Sequence, residues 1–310
     1  MPTRAAPCAT PLATPPSDEH RVRNKMQRDD FRLHHRLRVR WAEVDMQKIV
    51  FNGHYLMYFD TAMGDYWRAL ALPYEQTMHA LGGDLYVKKA SVEYHGSARY
   101  DDQLEVGLQC QRIGNSSMQF VGGIFCGERL LITGELIYVY ANPATQTALP
   151  VPPSLRAIVQ AFEAGEAMTT VRTGTWQDLR EAAQGVRTEV FVGEQGIAAD
   201  DEWDAQDETA VHAVLFNRYD LPLGTARLLQ PEPGVAQIGR MAVTRLMRGG
   251  GLGAQLLEAL ADVARARGDR VLRLHAQRSA EGFYARLGFV TEGAPFDEVG
   301  IAHITMTRAL

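Results

Sequence analysis

The sequence predicts an α+β domain followed by an α/β domain, and three observations support this prediction. Residues 53–70 carry large apolar side chains at helical spacing, and alternation of polar and apolar residues then dominates residues 85–142. Residues 248–253 form a glycine-rich stretch between a strand pattern and a long amphipathic helix pattern. The 310 residues suffice for two hydrophobic cores of ordinary size. We expect a disordered tail over 1–30, the first domain over 31–165, a linker over 166–170 and the second domain over 171–310.

The composition is typical of a soluble globular protein, with 46% hydrophobic and 22% charged residues. A net charge of -5, without basic patches interleaved with aromatic residues, argues against a nucleic-acid partner. No apolar run approaches the roughly 18 residues that a membrane span needs. The proline-rich segment over 1–30 lacks the apolar run of a secretory signal.

The cysteines point to a reducing compartment. Cys8, Cys110 and Cys126 lie far apart and show neither CxxC nor metal-ligand spacing, so we predict no metal site. A small, odd number of cysteines suits a cytoplasmic protein better than a disulfide scaffold.

The first domain is expected to form an antiparallel sheet curled around a long helix. Residues 35–44 read as a strand, with Leu37, Val39 and Trp41 on one face. The helix over 53–70 is apolar around much of its circumference, so other structure should enclose it. Four strands are predicted at 85–98, 103–114, 117–127 and 129–142, and a closing helix at 151–165.

Asp45 lies at the end of the first predicted strand, about eight residues before the predicted helix. The unpaired N–H groups and the dipole of a helix N-terminus favour an oxygen that gains negative charge. A carboxylate opposite such donors can attack a polarised carbonyl or activate water against it. The alternative is that Asp45 only caps a turn or the helix, because Asp is common at such positions.

The stretch "RWAEVDMQKIVFNGHYLMYFD" resembles the signature of hotdog-fold acyl-CoA thioesterases of the hydroxybenzoyl-CoA and Tol–Pal-associated type, and the resemblance extends over 35–164. It implies that Asp45 is the nucleophile or general base, and that the N–H of Asn52 points at the thioester oxygen. It also implies a homodimer or homotetramer, because these domains cover an open sheet edge by pairing. Lys48 replaces the glycine of the family, which would strain the turn if this position needs a positive φ.

The second domain begins with a helix from a cap at Thr175 to about Val192. A hairpin follows, with its turn at Asp220 to Pro222. Further elements are a strand at 236–244, the glycine loop with its helix over 248–268, a strand at 270–277, a short helix at 280–288 and a final strand at 301–310.

The glycine loop can bind an anion. Glycines allow close approach of the backbone, and the following helix directs N–H groups at the ligand. The loop consists of Arg248, Gly249, Gly250, Gly251, Leu252 and Gly253. It has no Walker lysine and meets the Rossmann spacing only in part. A merely flexible turn is the alternative.

Together with "LREAAQGVRTEVFVGEQGI" and "LRLHAQRSAEGFYARLGF", this loop resembles that of GNAT acetyltransferases, closest to the ElaA-like branch, over 171–310. The resemblance implies that the loop binds the pyrophosphate of acetyl-CoA, and that the backbones of Met241, Ala242 and Val243 pair with its pantetheine. Phe283 and Tyr284 would flank the thiol, with Tyr284 as general acid, although core packing is the alternative for Phe283. The candidate general base is His275 or an acid acting through water.

The remaining candidate site is a cluster of acids formed by Glu202, Asp204 and Asp207, with Arg187 and Arg227 elsewhere in the domain. Such acids would suit a cationic amine acceptor, and Arg227 would belong to the acceptor site. The alternative is an acidic loop held together by the two arginines.

The resulting hypothesis is a bifunctional enzyme. It would hydrolyse acyl-CoA in the first domain and transfer acetyl from acetyl-CoA to an amine in the second, with these thioesters as substrates and without a permanently bound cofactor. A CoA-sensing protein with one degenerate domain and an acyl-amide synthase are the alternatives.

Overall fold

The computed structural model describes residues 26–298 and 300–310. The chain divides into two compact units, Met1–Ala167 and Met168–Leu310. Most of the tail expected over 1–30 lies outside the described residues. Arg28–Asp30 form a 3-10 helix, and Nε of Arg28 lies 2.9 Å from a carboxylate oxygen of Glu105.

The first unit is an antiparallel sheet packed against a long helix, as the sequence predicts. Its strands lie in the order β1-β3-β4-β5-β2, and each neighbouring pair is antiparallel. The elements are β1 (Leu33–Arg38), α1 (His54–Ala69), α2 (Tyr74–Leu81), β2 (Asp84–Tyr94), β3 (Gln103–Ile113), β4 (Ser117–Cys126), β5 (Arg129–Ala141) and α3 (Pro153–Glu163).

Helix α1 forms the core of this unit, because aromatic residues recur at helical spacing along its buried face. Phe59 is completely buried. Its ring fills the space above Gly122 and Gly134, which are paired across β4 and β5. A side chain at either glycine would occupy the position of the ring, so the two glycines determine how closely α1 approaches the sheet.

The first strand is shorter than predicted. It ends at Arg38, and Trp41–Glu43 form a 3-10 helix in which Trp41 is 75% exposed rather than part of a buried face. The cause is Glu43, which is buried and accepts hydrogen bonds from the backbone N–H of Arg40 at 2.7 Å and from Tyr58 Oη at 2.8 Å. The local contact with Arg40 closes the turn, and the contact with Tyr58 directs the chain toward α1, against the local alternation. Helix α2 was not predicted.

The second unit is a seven-stranded sheet in the order β11-β12-β10-β9-β8-β7-β6. Only β9 and β10 are parallel among the paired strands. Its strands are β6 (Thr169–Gly174), β7 (Val211–Asn217), β8 (Pro222–Glu232), β9 (Val235–Val243), β10 (Val271–Gln277), β11 (Val290–Glu298) and β12 (Ile301–Ala309). Its helices are α4 (Trp176–Arg187), α5 (Ala199–Glu202), α6 (Leu252–Arg267) and α7 (Glu281–Arg286).

Three features of this unit differ from the expectation. Strand β6 begins at Thr169, within the expected linker. The helix expected to reach Val192 changes after Arg187 into a π-helix, Thr188–Glu194. Strand β11 was not predicted, because its residues are mostly exposed and show no alternation of buried and exposed positions.

In the described ranges, no helix is long and apolar enough to cross a membrane. Within the same residues, no group of three or more His, Cys, Asp and Glu side chains could hold a metal ion.

Candidate active sites

Asp45 lies in a tight turn that is closed by a β-bridge between Val44 and Val50. The N–H of Lys48 donates to the carbonyl of Asp45 at 2.9 Å, and Lys48 has a φ of 60°. The position of the family glycine therefore adopts the left-handed conformation, with a lysine in it. The turn is formed despite this substitution.

The carboxylate of Asp45 is oriented by its own turn. Its Oδ1 accepts a hydrogen bond from the N–H of Gln47 at 2.8 Å, while Oδ2 has no partner in the described part of the chain. Asp45 can therefore cap the turn and act in catalysis, because Oδ1 accepts the hydrogen bond of the turn and Oδ2 can accept a proton or attack a carbonyl. Burial chiefly raises the pKa of Tyr55 in the first turn of α1, and the charge of Asp45 adds to this shift to a smaller extent.

Asn52 lies two residues before the start of α1, and Gly53 caps the helix. Among the described residues, no acceptor binds the backbone N–H of Asn52, whereas its carbonyl accepts a hydrogen bond from Tyr94 Oη at 3.2 Å. The donor expected to face a thioester oxygen is therefore open. Phe51 and Tyr94 beside it are half exposed.

The role of Glu43 could not be found from the sequence. This carboxylate is buried, and Arg40 and Tyr58 both contact it. Burial opposes its ionisation, but the hydrogen bonds from Arg40 and Tyr58 lower its pKa overall. Glu43 thus remains charged, and its hydrogen bonds connect Arg40, which precedes the Asp45 turn, with Tyr58 of α1, which follows it.

The second candidate site lies where two strands separate. Strand β9 pairs with β10 only from Val235 to Ile238, so its last residues have no partner on that side among the described strands. Arg240 has a φ of 49° and lies where the β8–β9 register shifts. A cavity of about 480 Å³ begins at this point.

The cavity brings together most of the predicted cofactor-binding residues. Its lining comprises Met241, Ala242, Val243, Met247, Arg248, Gly249, Gly251, Leu252, Gly253, Ala280, Phe283, Tyr284, Arg286 and Leu287. Gly250 belongs to the same loop without lining the cavity. A Cβ at Gly253 would lie 3.1 Å from the ring of Phe283 and 3.2 Å from Met241 Cε, so this glycine allows the loop, the strand and α7 to meet.

The positive φ values of Gly249 and Gly251, 87° and 80°, form the loop at the start of α6. Arg248 holds this loop to the π-helix. Its two terminal nitrogens lie 2.6 and 2.7 Å from the carboxylate oxygens of Glu194, and its Nε donates to the carbonyl of Val243 at 2.9 Å. Glu194 could not be identified from the sequence as the partner of Arg248.

Tyr284 and Phe283 lie at the same end of the cavity, in edge-to-face contact. The Tyr284 hydroxyl lies 3.5 Å from Met241 Sδ. Burial raises the pKa of Tyr284 to about 12, so the phenol is protonated at neutral pH. Such a group can donate a proton or a hydrogen bond to a thiolate.

His275 does not reach this cavity. It lies on β10 between two buried residues, so strand alternation directs it to the opposite face. Its imidazole lies 3.7 Å from Glu298 and contacts the ring of Phe296. That His275 acts as general base therefore stays a prediction, and His275 is not among the residues that line this cavity. The lining residues include no carboxylate either.

The acidic cluster is a network of ion pairs. Arg187 is buried and contacts Glu202 at 2.6 Å and Asp207 at 2.9 Å. Its guanidinium also lies over the ring of Trp203, 4.6 Å from the centroid. Burial raises the pKa of Glu202, whereas hydrogen bonds from Arg187 and Arg227 outweigh burial and lower that of Asp207.

Arg227 completes this network. It contacts Asp207 at 2.8 Å and Asp204 at 2.7 Å, and Arg240 contacts Asp204 at 3.2 Å. The three acids are therefore matched by three arginines, and none of the acids lines the cavity. This arrangement corresponds to the second alternative from the sequence, a loop held together by arginines. Binding of a cationic acceptor by these acids stays a prediction, and in the structure their carboxylates are paired with arginines.

Residues 180–310 match the model of the acetyltransferase (GNAT) domain, and residues 47–139 match the model of the thioesterase superfamily. A putative acetyltransferase of Bacillus subtilis (strain 168) is 34% identical over 136 residues, which are 43% of this chain and 90% of that protein. A putative esterase of Aquifex aeolicus (strain VF5) is 33% identical over 86 residues, which are 28% of this chain and 66% of that protein. The crystal structure of Escherichia coli ElaA shares 27% sequence identity with this chain, with a TM-score of 0.42. The match covers 46% of this chain and 99% of the ElaA chain.

Proposed function

We propose that this chain hydrolyses acyl-CoA at one site and acetylates an amine at the other. It belongs to the GNAT acetyltransferase family through its second unit and matches the thioesterase superfamily in its first. Both reactions use a CoA thioester, which is the shared chemistry of the two families. The observation that carries the proposal is the cavity of about 480 Å³ between the open end of β9, the glycine loop and Tyr284.

Hydrolysis in the first unit would depend on Asp45 and Asn52. In this proposal the free Oδ2 of Asp45 takes a proton from water as the water oxygen attacks the thioester carbon. The N–H of Asn52 stabilises the oxyanion that forms on the carbonyl oxygen. The C–S bond then breaks, the proton passes to the CoA thiolate, and the products are a free acid and CoA. Attack by the carboxylate itself, followed by hydrolysis of the anhydride, gives the same products.

Acetyl transfer in the second unit would depend on backbone groups and on Tyr284. The open backbone of Met241 to Val243 would pair with the pantetheine, and the N–H groups of the glycine loop would bind the pyrophosphate. An uncharged amine attacks the acetyl carbon, the C–S bond breaks, and Tyr284 gives its proton to the thiolate. Because the described lining holds no carboxylate, the amine proton passes to water, and Tyr284 regains its proton from water.

The first unit also supports a proposal about assembly. None of the residues of β2 is buried on either face, although β2 is an edge strand of eleven residues. Val87 and Tyr94 on this strand are more than half exposed. We infer that a second copy of the chain covers β2, which gives a homodimer or a larger homo-oligomer. Light scattering of the intact protein tests this, and a monomer at micromolar concentration would contradict it.

The thioesterase proposal is tested by release of free thiol from a panel of acyl-CoAs of different chain lengths and aromatic character. Asp45→Asn keeps the oxygen that accepts from Gln47 but removes the base, so we expect the rate to fall by about 10² or more. Asp60→Asn, an exposed position of α1, is the matched control and should retain the wild-type rate. Equal rates for wild type and Asp45→Asn would exclude Asp45 as the catalytic group.

The acetyltransferase proposal is tested by hydrogen exchange of the intact protein with and without acetyl-CoA. Residues 240–255 should become protected, because the ligand would pair with β9 and the glycine loop. Unchanged exchange there would contradict the assignment of this cavity. Protection without acetylation of any amine in a broad panel would favour the alternative function, a protein that binds CoA thioesters as a sensor.

A further inference from the structure

Strand β9 contains one more residue than its partner β8 at the point where the second candidate site begins. On β8, one residue separates Thr225 from Arg227. Their partners on β9, Ala242 and Gly239, are separated by two residues. Arg240 follows Gly239 and has a φ of 49°, which is unfavourable for a residue with a side chain. This bulge in β9 therefore needs support from contacts elsewhere in the fold.

The carboxylate of Asp204 contacts both strands of this bulge. Its two oxygens each lie 2.7 Å from a terminal nitrogen of Arg227 on β8, and its Oδ2 lies 3.2 Å from a terminal nitrogen of Arg240 on β9. Nε of Arg240 also donates to the carbonyl of Glu202 at 3.2 Å. Hydrogen bonding from Arg227 lowers the pKa of Asp204, so this carboxylate is charged at neutral pH. One anion thus connects a residue that flanks the bulge on β8 with the strained residue on β9.

The bulge determines the direction of the backbone that enters the cavity. The three residues that follow Arg240, at 241–243, all line the cavity, whereas Asp204 does not. Strand β9 pairs with β10 only as far as Ile238, so residues 241–243 have no described strand beside them on that side. The orientation of their N–H and C=O groups therefore depends on the conformation at Arg240.

We propose that Asp204 is a positioning residue for the CoA thioester: through Arg227 and Arg240 it holds β9 in the bulged conformation that presents the backbone of residues 241–243 to the pantetheine. This inference rests on the proposed acetyltransferase function and gives Asp204 a role that requires no contact with either substrate. A strand that loses this support adopts the binding conformation in a smaller fraction of the molecules. The apparent affinity for the ligand then falls in proportion to that fraction.

The test is calorimetric titration of the full-length protein with CoA. Asp204→Asn keeps Oδ1, which accepts a hydrogen bond from the N–H of Gln206 at 3.0 Å, but it places an NH2 group where Oδ2 meets the two arginines. The Kd for CoA should rise about fivefold rather than more, because the carbonyl of Glu202 still holds Arg240 in part. Asp262→Asn, at an exposed acid of α6 outside this network, is the matched control and should leave the Kd unchanged.

A double variant that combines Asp204→Asn with Arg240→Gly separates positioning from general damage to the fold. Glycine adopts a positive φ without strain, so β9 should no longer need Asp204, and the Kd should return to within about twofold of the wild-type value. In hydrogen exchange, acetyl-CoA should protect residues 241–243 less in Asp204→Asn than in the wild type, while protection of residues 249–253 persists.

Two results would overturn the proposal. One is a wild-type Kd for CoA in Asp204→Asn, and the other is a loss of affinity that the added Arg240→Gly change does not restore. Failure of the wild-type protein to bind CoA would instead contradict the proposed function itself.

Discussion

Helix α1 contacts its sheet through Phe59, and the closeness of this contact can be tested. A Cβ at Gly122 or at Gly134 would lie 2.5 Å from the Phe59 ring, whereas ordinary van der Waals contact begins at 3.4 Å. Phe59 is completely buried, so the ring cannot turn away into solvent. Gly134→Ala must therefore lift α1 from the sheet or force the ring from its rotamer.

The cost of this change follows from the packing. Overfilling a close-packed site by one methyl group typically destabilises a protein by about 1–3 kcal/mol. Phe59→Leu alone leaves a cavity and should cost about 1–2 kcal/mol. In the double variant the smaller side chain makes room for the new methyl group. The combined loss should therefore be at least about 1 kcal/mol smaller than the sum of the single losses.

Hydrogen exchange of residues 54–69 in the intact protein measures these free energies for the first unit alone. Gly64→Ala is the control on the same helix, because a Cβ there meets only the end of the Arg68 side chain, at 3.8 Å. Alanine in an exposed helix interior should stabilise α1 by about 0.5–1 kcal/mol. The packing argument is refuted if the losses in Gly134→Ala and Phe59→Leu simply add. It is also refuted if Gly134→Ala behaves like Gly64→Ala.

Two further predictions concern the same unit. Lys48→Gly should relieve the strain of the left-handed conformation and, after the entropy cost of glycine, stabilise the turn by about 0.5–1 kcal/mol, whereas Lys48→Ala keeps the strain. Hydrogen exchange of residues 43–51 and the rate of thiol release are measured for both variants. Burial raises the pKa of Glu163, which accepts hydrogen bonds from Tyr66 Oη and the N–H of Cys110. Burial thus disfavours the charged form of Glu163, so the Glu163→Gln variant should be more stable than the wild type at neutral pH. This difference in stability should shrink as the pH falls toward 4.5, because Glu163 then takes up its proton. Thermal unfolding of both proteins from pH 7 to pH 5 measures the difference.

The sequence was a good guide wherever a local pattern and the tertiary structure agree. The helix predicted over 53–70 is His54–Ala69, because the aromatic spacing that predicts it is also the face that packs on the sheet. The four strands that follow lie within a few residues of their predicted bounds, since turns between antiparallel strands are marked by polar residues and glycine.

The sequence was a poor guide wherever long-range contacts decide the structure. The strand predicted over 35–44 ends early because Tyr58, fifteen residues further on, binds Glu43. The sequence leaves open whether the acids at 202–207 are free or paired with arginines, and only the fold brings Arg187, Arg227 and Arg240 to them. His275 has the chemistry of a general base, but the side of the strand on which it lies depends on a register that composition does not specify.

The two candidate sites share one property that bears on two of the unusual backbone conformations. In each proposed site the thioester would be held by main-chain groups, at the N–H of Asn52 in one unit and along β9 and the glycine loop in the other. Main-chain recognition requires particular φ values near the ligand, and positive φ values occur beside both sites, at Lys48 and Arg240. A side chain at such a position can vary so long as the fold supports its strain. Lys48 in place of the family glycine is therefore compatible with an active site, because the turn around Asp45 keeps its hydrogen bonds.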